Sequence, residues 1–64
     1  MQVEVGRRIA LLRKRSGLSL RQLEALSGVT GAMISYIERG RSSPSLATLQ
    51  KILSALGSDI GSLF

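Results

Sequence analysis

The stretch LRQLEALSGVTGAMISYIER, residues 20–39, decides how the chain is read. Its large apolar residues fall at Leu23 and Leu26, then at Val29, Ile34 and Ile37. Steps of three, four or five fit short amphipathic helices and not the alternation of a strand. Between the two runs stands Ser27-Gly28, with a glycine where a left-handed backbone stops the first helix. The spacing predicts two short helices joined by a turn of three or four residues. The second keeps Gly31, Ala32, Ser35, Tyr36 and Arg39 on one outward side, and none of these is a large aliphatic that needs burying.

Outward from this pair, Thr30 stands where it caps the second helix and Gly40 where it ends it. Ser19 and Gln22 have the capping-box spacing, which leaves Arg21 and Gln22 exposed in the first turn of the first helix, an end that attracts phosphate. Upstream, residues 3–15 read as a helix with Val5, Ile9 and Leu12 in one stripe and Gly17 as its stop. Arg13, Lys14 and Arg15 complement the dipole at its C-terminal end. Gly6 inside that helix costs roughly 1 kcal/mol against Ala, which points to a close helix contact there. Downstream, Arg41-Ser42-Ser43-Pro44 is a polar loop and Ser45 a cap. Leu46, Leu49, Ile52, Leu53 and Leu56 then follow a 3.6-residue period up to Gly57. Asp59 is placed to cap a last short turn whose Leu63 and Phe64 fold back on the core. The expectation is an all-α, single-domain fold of five short helices over residues 1–64. Its core holds Leu23, Val29, Ile34, Ile37, Leu49, Ile52, Leu53 and Leu56, with Met33 as filler at the edge.

Composition narrows the function. Nine basic residues against four acidic give a net charge of +5, and seven of the nine are Arg, which suits planar contacts to phosphate or guanine. His and Cys are both absent, which removes disulfides, the usual metal ligands and the usual general base. Four scattered carboxylates supply no acid–base pair, so neither an enzyme, a metal site nor a cofactor is expected. The apolar runs are short and broken by charge, and the N-terminus lacks the long apolar segment of a signal peptide. The expected location is the cytoplasm, on the nucleoid if the partner is DNA.

Two short helices around a glycine turn form the arrangement whose second helix enters the DNA major groove. Here the sequence also resembles a known family. Gly17-Leu18-Ser19, Leu23, Gly28-Val29-Thr30, Ile34-Ser35, Ile37-Glu38-Arg39-Gly40, Pro44-Ser45, Leu49, Ala55-Leu56-Gly57 and Leu63-Phe64 follow one another in the order of the phage repressor/Cro (Xre) helix-turn-helix family. The likeness runs over about residues 5–64. It implies a five-helix, repressor-like DNA-binding bundle that works as a homodimer on a double-stranded operator. It also implies that helix 3, about residues 30–39, reads base edges through Gly31, Ala32, Ser35 and Tyr36. By the same likeness Arg21, Gln22, Thr30, Arg41 and Ser42 grip the backbone, and Arg13 and Glu38 tie the first helix to the third. Arg39 lies at the far end of the reading helix, where phosphate is the expected contact. The bland reading of Glu38 is a surface pair with Arg41 three residues on. Among such relatives a sensing or oligomerising domain often follows, so a longer protein is an expectation too.

Two residues depart from the family pattern. Glu24 stands where a small Ala usually faces the following helix, so its carboxylate is expected to escape sideways or to pair with an Arg. Ser58 replaces an aliphatic after Gly57, which weakens any apolar dimer seam there. The sequence leads to a DNA-binding transcriptional regulator of the repressor kind. The alternative is a protein-interaction module of the same fold, an antitoxin or a bridging factor, which an acidic third helix would have favoured.

Overall fold

In a computed structural model, residues 2–59 and Gly61 are described. The helices are α1 (Gln2–Arg15), α2 (Leu20–Ser27), α3 (Gly31–Glu38) and α4 (Leu46–Ala55). Among the described residues there are four helices, not the five expected. The last turn, with Leu63 and Phe64, falls outside the described residues but for Asp59 and Gly61.

Local hydrogen bonds begin and end α2, α3 and α4. At the start of α2 the Ser19 hydroxyl accepts from the Gln22 amide at 3.0 Å, and the Gln22 side chain accepts from the Ser19 amide at 2.8 Å. Thr30 and Ser45 cap α3 and α4 by accepting from Met33 and Thr48. The end of α2 is closed by Gly28 at φ 76°, whose amide donates to the Glu24 carbonyl at 2.9 Å. After α3, Gly40 takes φ 71° while the amides of Gly40 and Arg41 return to Ile37 and Tyr36. This pair of backward bonds satisfies carbonyls that a helix end leaves without a partner.

One core joins these elements. Ile9 from α1, Leu23 from α2, Val29 from the turn, Ile34 and Ile37 from α3, and Leu49, Ile52 and Leu53 from α4 are buried together. Leu56 packs against this cluster half-buried, as do Val5, Leu12 and Leu18. One expectation fails here: Met33, expected as filler, is 40% exposed. Leu26 and Leu46, which share the apolar spacing but lie outside the expected core, are 61% and 62% exposed. In a helix of two or three turns the apolar stripe is too short for its phase to be fixed by spacing alone.

α1 packs on α3, and α2 packs on both α3 and α4. The approach of α1 to α3 is closest at Gly6, where an added Cβ would run into the Ile37 carbonyl oxygen and lie 2.9 Å from that of Glu38. Gly40 takes the start of α1 in the same way, since a Cβ there would lie 2.8 Å from Val3 Cγ2. α3 is therefore pressed against α1 along its buried side, and its other side is left to solvent.

Candidate nucleic-acid interface

The exposed side of α3 carries Ala32, Met33, Tyr36 and Arg39, with Gly31 and Ser35 half-buried beside them. The buried side holds Ile34 and Ile37 at 0% and 1% exposure. Helical period puts these two sets on opposite sides, so the core that fixes α3 also fixes the direction of the exposed set.

A polar clamp completes that fixing. Arg13 Nε donates to Glu38 Oε2 at 2.7 Å and its Nη2 to Oε1 at 2.9 Å, while Nη1 donates to the Leu18 carbonyl at 2.9 Å. Both side chains are nearly buried, at 13% and 10% exposure. The two-pronged geometry makes this the strong form of ion pair. Hydrogen bonding to Glu38 raises the Arg13 pKa, outweighing the opposing effect of burial. The guanidinium stays charged at every pH a folded protein meets. Glu38 thus binds α3 to α1 across 25 residues of sequence, and not to Arg41 as the surface-pair reading had it.

Ser35, Tyr36 and Arg39 come together on the exposed side. Arg39 Nη2 donates to Ser35 Oγ at 2.8 Å, and its guanidinium carbon lies 5.6 Å from the Tyr36 ring centre. That distance is within reach of a cation–π attraction. Arg39 is therefore drawn back over the middle of α3 rather than standing off its far end.

Arg21 and Gln22 are exposed at the start of α2, Thr30 is exposed just before α3, and Arg41 and half-buried Ser42 lie in the loop after it. Several of these groups already serve as caps, and that shapes what they can still offer. Gln22 Oε1 and Thr30 Oγ1 spend acceptor capacity on backbone amides, which leaves the Gln22 NH₂ and the Thr30 O–H as donors. Phosphate oxygens only accept. Ser42 Oγ donates to Met33 Sδ at 3.7 Å, a contact that ties the loop to α3.

Glu24 does not pair with an arginine. Its Oε1 accepts from the Gly31 amide at 2.7 Å, so the carboxylate caps the first turn of α3. Gly31 thus has its own N–H already engaged. Sequence reasoning missed this bond because donor and acceptor lie seven residues apart across a turn. The only available signal was an acid one helix upstream of an N-cap.

Among the described residues no group of His, Cys, Asp or Glu could hold a metal ion, and no helix is long and apolar enough to cross a membrane.

A family model described as helix-turn-helix matches residues 9–63, a span that takes in α2, the turn and α3. The chain belongs to the helix-turn-helix family. It is similar to the HTH-type transcriptional regulator PuuR of Escherichia coli, with 41% identity over 92% of this chain and 32% of that protein. The immunity repressor protein of Bacillus phage phi105 is 36% identical over 92% of this chain and 41% of its own. The chain therefore spans about a third of the length of PuuR and under half that of the phage repressor. In structure it superposes on the restriction-modification controller protein C.AhdI of Aeromonas hydrophila with a TM-score of 0.93. That match has 35% identity and covers 98% of this helix-turn-helix chain and 96% of C.AhdI. The family likeness seen in residues 5–64 is borne out by these matches. None of the three relatives is named as an enzyme; they are a regulator, a repressor and a controller protein.

Proposed function

We propose that this chain is a sequence-specific, double-stranded DNA-binding transcriptional regulator of the repressor kind, with α3 lying in the major groove. The observation that carries the reading is the exposed side of α3, where Ala32, Tyr36 and Arg39 stand beside Gly31 and Ser35, backed by buried Ile34 and Ile37 and by the Arg13–Glu38 clamp. Ala32 and Ser35 read base edges, one by a methyl and one by a hydroxyl, with Gly31 and Tyr36 beside them. Arg21, Gln22, Thr30, Arg39, Arg41 and Ser42 grip the sugar–phosphate backbone, and the excess of positive charge draws them to it. Two copies bind a two-fold operator with half-site centres one helical turn, roughly 34 Å, apart. The place of action is the cytoplasm, on the nucleoid.

The test is a salt series on an operator selected from random duplexes and on a scrambled duplex. Arg41→Ala is expected to weaken both DNAs alike and to lower the log–log salt slope by about 0.9. Ser35→Ala removes a base contact and also releases Arg39, so it is expected to weaken the matched operator by about 1–3 kcal/mol at an unchanged slope. Equal weakening of both DNAs by Ser35→Ala would remove α3 from the reading role. A footprint of one half-site at 1:1 stoichiometry would exclude the dimer.

A further inference from the structure

Glu24 sits at the junction of the two helices and works through both its ends. Its carbonyl accepts from Gly28 at 2.9 Å and so closes the turn after α2. Its carboxylate accepts from Gly31 at 2.7 Å and so begins α3. The absence of a side chain at Gly31 leaves room for this approach, since a Cβ there would lie 3.2 Å from Glu24 Oε1 and the carboxylate would have to give by a few tenths of an ångström. Of the other carboxylates, Glu38 is bound by a guanidinium, whereas the partner of Glu24 is a backbone amide. Among the described residues no cation forms an ion pair with Glu24, and its negative charge stands at the end of α3 that bare backbone would offer to an anion.

That arrangement has a consequence for DNA. A helix N-terminus with free amides is a ready receptor for phosphate, whatever the base sequence. Here a carboxylate already fills part of that role and repels a second anion. We propose that Glu24 is a specificity-determining residue: it withholds the Gly31 amide from phosphate and so disfavours complexes held by the DNA backbone alone. In a matched complex, base contacts from the middle of α3 fix its position, and the loss of one amide contact matters little. In a mismatched complex, backbone contacts supply nearly all the affinity, and the loss is felt in full. The inference rests on the reading role proposed above for α3.

Glu24→Gln separates the two parts of the residue, because its amide oxygen still accepts from Gly31 while the charge is gone. One charge at roughly 7 Å from a phosphate in water is a factor of about three in binding. Glu24→Gln is therefore expected to tighten binding to the scrambled duplex about two- to fivefold, with little change on the selected operator, so that their ratio falls. Its thermal midpoint is expected to fall only slightly, since a neutral oxygen is a weaker cap than a carboxylate. Glu24→Ala, which frees the Gly31 amide as well, is expected to show at least as large a fall in ratio together with a clearly lower midpoint. An unchanged ratio in Glu24→Gln, whether both affinities stay put or both rise together, would overturn the assignment. The wild-type arm keeps the two readings apart. If the wild type itself fails to separate selected from scrambled DNA, the proposed function falls, and Glu24 with it. If the wild type discriminates and Glu24→Gln does so equally well, only the role of Glu24 falls.

Discussion

The seam between α1 and α3 and the turn between α2 and α3 hold the same eight-residue helix by different means. At the seam, Gly6 rests against the carbonyls of Ile37 and Glu38, and the Arg13–Glu38 pair lies nearly buried next to it. Backbone touches backbone there, and neither can yield. At the turn, α3 is begun by the Thr30 hydroxyl and the Glu24 carboxylate, both on exposed residues that water can replace. Close packing makes the seam intolerant of volume, while the turn is open to exchange of one polar group for another. The lesson is that α3 is anchored at its C-terminal end and adjustable at its N-terminal end.

The sharpest way to break the contrast is Gly6→Ala. The added methyl meets carbonyl oxygens rather than a flexible side chain, so a loss of about 3 kcal/mol is expected, at the upper end for overpacking. Denaturant unfolding measures it, and no loss, or a gain toward the roughly 1 kcal/mol by which Ala is favoured over Gly in helices, would mean that the helices can part at little cost. Next comes Glu38→Ala, which leaves the Arg13 guanidinium with the Leu18 carbonyl alone. About 2 kcal/mol should go, and the double variant with Arg13→Ala should recover part of it in a mutant cycle. Strict additivity would deny the clamp. The smallest effect belongs to the turn: Thr30→Ala should cost about 1 kcal/mol by melting, as for other lost N-caps. A loss as large as that at Gly6 would erase the distinction between the two regions.

Much of the fold was legible in local chemistry. Ser19 with Gln22, Thr30, Ser45 and the glycines at 28 and 40 mark helix ends by bonds that span a few residues, and such bonds can be read from spacing. Leu23 and Leu26 show where that reading stops. Both fit an amphipathic period, yet one is fully buried and the other is 61% exposed, because two turns of helix do not fix which edge of the stripe meets the core. Distance in sequence hid the rest. The partnership of Arg13 with Glu38 entered only through family likeness, and no spacing rule spans 25 residues. The bond from Glu24 to Gly31 was not foreseen, because a side chain reaching over a turn depends on the angle at which two helices meet. The gathering of Arg39 over Ser35 and Tyr36 follows from a rotamer, which spacing does not specify.

The shortness of α3 sets a limit of another kind. Eight residues make a rod about 12 Å long, which spans three to four base pairs at 3.4 Å each. A four-letter word recurs by chance about once in 256 base pairs, against the million or more competing sites that a genome offers. Such a word cannot be an address. In the two-copy arrangement proposed above, a second reading helix at a fixed spacing would square that rarity without adding a residue to either copy.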